Sequence, residues 1–295
     1  LERDALLPQK PRVLSTTAII GDLVKRVGGA WIEGDVLIVG EIDPHSYELV
    51  KGDDEKIALA NALFYHGLGL EHGASLHYQL QHHPHAISLG EAIRSKSPDG
   101  ILYRDGQIDP HVWMDVSLWS QTVDPVVEVL KALDPEHGEI FELRGEEVKR
   151  EMAQADLAIY ELLHSVPKED RYLVTSHDAF NYFARRYLAE DPSEWMERFR
   201  APEGLAPDGQ LSSRDIQGII DHLHRYRIGV VFPESNVSRD SLRKIVLSCR
   251  DKGHTVKICD KPLHADTLGP PGSSAETYLG MMHGNALLLF GAWAP

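Results

Sequence analysis

Apolar residues in this chain come in short runs separated by stretches with helical spacing. Arg12-Val13-Leu14-Ser15 reads as a short buried strand. Thr16 and Thr17 can cap a helix through Ile19, Ile20, Leu23 and Val24 that stops at Gly28-Gly29. Val36 to Val39 is a second apolar strand. Residues 53–63 have helical spacing, and Phe64-Tyr65-His66 reads as a third strand broken by Gly67-Leu68-Gly69. A helix through Leu76 and Leu80 and a strand near Ala86-Ile87-Ser88 follow. This strand–helix alternation predicts a parallel sheet flanked by helices. Residues 113–133 read as a helix.

From Glu136 to Val166 the pattern is one long amphipathic helix, with Ile140, Leu143, Val148, Met152, Ala155, Ile159, Leu162 and Leu163 on its apolar face. About 30 residues at ~1.5 Å each would span about 45 Å, although Gly145 weakens its continuity. The alternation then starts afresh. Tyr172 to Thr175 is a strand, followed by Ser176-His177-Asp178 and a helix through Phe180, Tyr182, Phe183 and Tyr187. Residues 190–210 read as loop. Ser212 to Asp215 has the form of a capping box before a helix through Ile216, Ile219, Ile220 and Leu223. A strand at 228–232, a helix capped by Ser238 and running to Cys249, a strand at 255–258 and a closing helix from Tyr278 to Leu289 complete the chain. The predicted fold is α/β. It has two lobes, each a parallel sheet flanked by helices, at 1–135 and 167–295, joined by one long rigid helix at 136–166.

With 295 residues and 42% apolar content, the chain can bury a large core. A net charge of -15 argues against nucleic acid or an anionic membrane as partner. No apolar run approaches the ~20 residues of a membrane span. Cys249 and Cys259 leave one disulfide or two buried thiols open.

The candidate chemistry begins with a repeat. Asp43-Pro44-His45 returns as Asp109-Pro110-His111, followed by Tyr47 and Glu48 in one copy and by Trp113 and Asp115 in the other. Proline fixes its own φ and keeps the preceding residue out of the helical region, and aspartate before it favours a turn closed by its side chain. Each motif is thus a stiff turn holding an imidazole at a set angle. His177 stands at a third strand end, and Glu234 and Asp266 follow at two more. Ligands of parallel α/β sheets sit at these carboxyl ends. Three neutral imidazoles with a carboxylate suit a divalent transition metal. His77, His82, His83 and His85 form a local cluster that reads as polar loop histidines, with a second metal site as the less favoured reading.

The chain resembles the metal-binding solute-binding proteins of ABC importers, the TroA, PsaA and ZnuA type. The resemblance covers nearly the whole sequence. It is carried by Asp43-Pro44-His45-Ser46-Tyr47-Glu48, Phe64-Tyr65-His66-Gly67-Leu68-Gly69-Leu70-Glu71, Asp109-Pro110-His111-Val112-Trp113-Met114-Asp115, Thr175-Ser176-His177-Asp178-Ala179-Phe180, Phe232-Pro233-Glu234-Ser235, and Asp266-Thr267-Leu268-Gly269 with Thr277-Tyr278. It implies two α/β lobes joined by a rigid helix, with His45 and His111 from the first and His177 and Asp266 from the second holding one metal ion. Glu234 matches an acidic position that orients a histidine or its lobe, and His264 is a rival ligand two residues before Asp266. Manganese-type members carry Glu at the His177 position. The zinc type often has a His-rich loop ahead of the second ligand, whereas residues 91–109 here contain no histidine.

The function this implies is capture of zinc, manganese or iron as transported ligand and delivery to the membrane permease. The protein is then expected to be a periplasmic or otherwise extracytoplasmic monomer, exported through a signal peptide absent from this sequence, and not an enzyme. Two other readings stand beside it: a metal-dependent hydrolase with Glu234 as general base, and an adhesin with a structural metal.

Overall fold

The computed structural model describes residues 10–207 and 212–294. Strand β1 (Arg12–Thr17) lies inside a four-stranded parallel sheet. β2 (Glu33–Ile38) pairs on one side of it and β3 (Ala62–Tyr65) on the other, with β4 (Ala86–Ser88) beyond β3. Helix α1 (Ala18–Gly28) follows β1, and Thr17 caps it by accepting from the Ile20 amide. Helices α2 (Asp53–Leu59), α3 (Ala74–His82) and α4 (Leu89–Lys96) connect or follow the remaining strands. Parallel order sends the ends of β1, β2 and β3 to one edge of the sheet. Thr16, His45 and His66 gather there.

Several boundaries differ from the sequence expectation. α2 stops at Leu59 rather than Leu63 because Ala62 and Leu63 pair with Val13 and Leu14. The helix expected over 113–133 is interrupted. Asp115 is extended, and its carboxylate accepts from the Ser117 and Leu118 amides to start a new short helix at Val116–Trp119. The continuous helix begins only at Val123 and runs to Leu133. Tyr103–Arg104 and Gln107–Ile108 form an unexpected antiparallel hairpin. Its turn residues Asp105 and Gly106 both have positive φ, as an Asp-Gly hairpin turn requires.

The long helix is real and unbroken from Gly138 to His164. Gly145 does not interrupt it. A Cβ at that position would stand 2.6 Å from Val127 Cγ2, so the missing side chain lets the Val123–Leu133 helix approach closely. Leu143, expected on the apolar face, is 69% exposed. The face that packs is instead built on Phe141, Val148, Met152, Ile159 and Leu163.

The second half repeats the parallel layout with shorter strands. Leu173–Val174 pairs with Phe199–Arg200, and Val230–Val231 pairs with Lys257–Ile258. The Phe232 amide donates to the Val174 carbonyl at 2.9 Å and joins the two pairs. The strand at Phe199–Arg200 lies in the stretch read as loop, of which residues 208–210 fall outside the described ones. The expected helix through Tyr187 is a single α turn, Asn181–Phe183, followed by a π turn, Ala184–Leu188. Ser212 and Asp215 form the expected reciprocal cap of the Ser213–Arg225 helix. Ser238, the expected cap, accepts from the Asp240 amide, but Arg239 stands at the cap position and the helix runs Asp240–Asp251. The closing helix extends to Trp293. Both cysteines are free thiols, Cys249 buried and Cys259 partly so. Among the described residues no helix is long and apolar enough to cross a membrane.

One apolar core runs through both halves and the long helix. It contains Val24 and Trp119 from the first half, Phe141 and Met152 from the helix, and Phe183, Met282 and Trp293 from the second. Smaller clusters lie under the outer face of each sheet. Overfilling the contact at Gly145 should be felt throughout this core. Gly145→Val is expected to lower the unfolding free energy by about 1–3 kcal/mol, the usual cost of overpacking. A urea titration against the unaltered protein measures it.

Candidate metal centre

The two Asp-Pro-His turns deliver their histidines differently. In the first, Asp43 Oδ1 accepts from the His45 amide at 2.9 Å and Oδ2 accepts from Ser46 Oγ at 2.6 Å. The His45 carbonyl accepts from the His72 and Gly73 amides, which seats the turn against the loop after β3. In the second, Asp109 Oδ1 accepts from both the His111 amide at 3.0 Å and the His111 ring Nδ1 at 2.7 Å. That bond leaves Nε2 as the imidazole lone pair that faces inward. Asp109 therefore closes the turn and also orients the ring, a role the turn motif alone does not reveal.

His177 is clamped from behind by Glu234. The carboxylate Oε1 accepts from the Ser176 and His177 amides at 3.0 and 2.9 Å, and Oε2 contacts the ring Nδ1. Glu234 itself follows the strand Val230–Val231 and bridges to Leu263, which places it beside the loop carrying Asp266.

These turns bring His45, His111, His177 and Asp266 together. One ligand atom from each lies within 4.8 Å of all the others. The four residues are at most 2% exposed. The Nε2 atoms of His45 and His111 are 3.2 Å apart. Asp266 Oδ2 stands 3.3 Å from His177 Nε2 and 3.7 Å from His45 Nε2, and Oδ1 stands 3.6 Å from His111 Nε2. His177 Nε2 and Asp266 Oδ1 are buried with no hydrogen-bond partner among the described residues. Buried polar atoms without partners are costly, and a cation placed among the four residues would supply the partner that these two atoms lack.

The charges are set by the same geometry. Burial opposes a proton on His177, but Glu234 and Asp266 outweigh it and hold the imidazole well above its usual range. Burial dominates at His45 and holds it well below that range. Burial pushes Asp266 up, yet His177, His45 and His111 outweigh it and leave the carboxyl far below ordinary carboxylates. The metal-free cluster thus pairs an anionic Asp266 with a His177 that holds its proton, beside a His45 kept neutral by burial.

The other candidates do not join this group. His264 is not among the converging ligands, and its backbone amide and carbonyl exchange two hydrogen bonds with Asn285 of the closing helix. His77, His82 and His83 are occupied locally: ring atoms of His77 meet the Glu71 carbonyl, of His82 the Tyr78 carbonyl and of His83 the Ile57 carbonyl. Two buried groups beneath the centre went unassigned in the sequence reading. Glu71 accepts from the His66 and Gly67 amides and from Thr16 Oγ1, and so ties the ends of β1 and β3. His66 bonds Thr17 Oγ1 at 2.8 Å and packs on Trp113 and Trp119, and burial lowers its pKa to about 3. Their only signal was their place in the Phe64-to-Glu71 motif.

A family profile described as "Zinc-uptake complex component A periplasmic" matches residues 13–290. The chain belongs to this family. It is 42% identical over 264 residues to the metal-binding protein YtgA of Chlamydia pneumoniae, covering 88% of this chain and 80% of that one. It is 31% identical over 281 residues to the manganese-binding lipoprotein MntA of Bacillus subtilis, covering 94% and 88%. The crystal structure of Fe(III)-bound YtgA from Chlamydia trachomatis superposes with a TM-score of 0.90 at 35% identity, over 97% of this chain and 98% of that one. The α/β architecture expected from the sequence is the fold of these family members.

Glu234 is the carboxylate that a conservative change tests most cleanly. Groups that orient a metal-bound histidine typically contribute 10–100-fold to affinity. Glu234→Gln should keep the fold and lower zinc affinity by about that factor, as read by competition with a fluorescent chelator.

Proposed function

We propose that this protein captures one transition-metal ion in a site formed by His45, His111, His177 and Asp266, with Glu234 orienting His177, and delivers it to the membrane permease of an ABC importer. The observation that carries this reading is the convergence of four buried ligand atoms from four separate loops within 4.8 Å. Family membership supplies the transport context. In this reading residues 1–135 and 167–295 act as two lobes on the 136–166 helix, and the protein works as a monomer outside the cytoplasm. Nucleic acid is not a partner. A surface with net charge -15 favours cations and repels polyanions.

The cargo is zinc, manganese or iron. Those are the metals of the family description, of MntA and of the iron-bound YtgA structure. Three imidazoles and one carboxylate accept all of them, and intrinsic affinity favours zinc over Mn(II) and Fe(II). The chemistry is coordination rather than catalysis. A hydrolase would need Glu234 free to take a proton from water. Both of its oxygens are instead engaged, by the Ser176 and His177 amides and the His177 ring.

Protein stripped of metal and reloaded without oxygen from equimolar Zn, Mn and Fe(II) should take up one ion per chain and lose it in His45→Ala. Absence of stoichiometric metal from the unaltered protein would overturn the reading. Stripping with a chelator should leave the circular dichroism spectrum intact, whereas an adhesin built on a structural metal would unfold.

The pH dependence has a definite sign. His177 is held above the usual imidazole range, so the metal-free site keeps that proton at neutral pH and must release it to coordinate. Affinity should rise with pH through that elevated pKa and fall steadily in acid. Calorimetric enthalpies in buffers of different ionisation heat should show net proton release at pH 7. Equal enthalpies in all buffers would contradict it.

A further inference from the structure

Among the hydrogen bonds that cross between the halves, two each hold from one half a ligand carried by the other. The Trp113 indole donates to the Ala265 carbonyl at 2.8 Å, one residue before Asp266. Trp113 is itself fixed by Tyr278, whose hydroxyl donates to the Trp113 carbonyl at 2.7 Å. In the opposite direction, Asn181 Nδ2 donates to Asp109 Oδ2 at 2.8 Å, and Asp109 Oδ1 orients His111. The neighbouring Tyr182 hydroxyl donates to the Asp109 carbonyl at 2.8 Å. Trp113, Ala265, Asp109 and Asn181 are all at most 1% exposed. The first half therefore positions the Asp266 loop, and the second half positions the His111 ring.

The Asn181 branch continues outward. The same amide also bonds Asp178, whose other oxygen accepts from Arg104 Nε at 3.0 Å. Arg104 sits in the first half, on the Asp-Gly hairpin, and is partly exposed. A relative movement of the halves at that edge would pull on Asp178, Asn181 and Asp109 before it reached His111.

We propose that Trp113 and Asn181 are positioning residues that tie the metal site to the seating of the two halves, so that parting the halves loosens the ion. This rests on the metal-capture reading above. Neither residue touches the ion. Trp113 acts through the Ala265 carbonyl, which fixes the backbone that presents Asp266. Asn181 acts through the Asp109 carboxylate, which fixes the His111 ring. Two effects oppose each other at Asn181. Removing its donor makes Asp109 a stronger acceptor for His111. It also leaves a buried carboxylate oxygen unpaired and free to turn. Orientation prevails, because the two bonds Asp109 Oδ1 makes to His111 require the carboxylate to be held from its far side. Linkage requires the converse: a bound ion stiffens the contacts that hold its ligands.

The test uses zinc as the probe and a chelator chase on Trp113→Phe and Asn181→Ala, the first keeping an aromatic ring in the core. Each should release zinc about 10-fold faster than the unaltered protein, while the metal-free variants keep its circular dichroism spectrum. A merely structural role would lower the metal-free melting temperature and leave the release rate unchanged, and that result overturns the proposal. In Asp109→Ala, adding Asn181→Ala should quicken release no further, since the asparagine acts through that carboxylate. Additive effects would also overturn it. A measurement on the unaltered chain removes dependence on how the variants fold. The Trp113 indole proton should exchange with solvent more slowly when zinc is bound, and equal exchange in both states counts against the coupling. An unaltered protein that holds no zinc would instead defeat the metal-capture reading itself.

Discussion

The structure depends on holding three imidazoles and a carboxylate away from water at contact distance. Such a cluster is unfavourable in isolation, because each donor loses its hydration and the rings crowd one another. Other buried groups must therefore hold each donor from behind. Asp109 takes the far side of His111, Glu234 takes the far side of His177, and Asn236 reaches Asp266 Oδ2 at 3.4 Å. These supports have supports of their own. Asn181 steadies Asp109, and the Ser176 and His177 amides steady Glu234. The layers of polar residues around the centre follow from that one requirement.

The parallel sheets meet this requirement economically. A parallel strand order puts successive loops on one edge, so residues far apart in the chain arrive at one place without long excursions. The end of β1 supplies Thr16 and Thr17, the loop after β2 supplies His45, and the loop after β3 supplies His66 and Glu71. The second half does the same with His177 after one strand and Glu234 after another.

The four converging residues were legible because their local chemistry is stiff. An Asp-Pro turn or a strand-to-helix switch constrains a histidine by itself, and the family motifs fix the set. The architecture was legible from the alternation of apolar strands with helical spacing. What escaped was set by tertiary pairing. Phe199–Arg200 became a strand only because Leu173–Val174 lies beside it, and its local composition reads as loop. The 113–133 helix broke where Asp115 captured two amides, a competition that periodicity does not register. Leu143 fits a helical stripe yet faces solvent, since among the described residues none covers it. Gly145 read as a weakness and is instead a close contact. The roles of Asn181 and Trp113 depend on groups 72 and 152 residues distant in sequence, beyond any local pattern.

The apolar core that runs unbroken from Val24 through Met152 to Trp293 has a consequence for how the chain persists in its compartment. Each half keeps only a smaller cluster of its own, and the main core is shared. A cut in the connecting helix would not yield two serviceable fragments, because each would expose the surface it had buried against its neighbour. Folding and degradation should therefore act on the whole chain as one cooperative unit. Damage to either half is thereby felt in the other, through the shared core that also carries the walls of the buried centre.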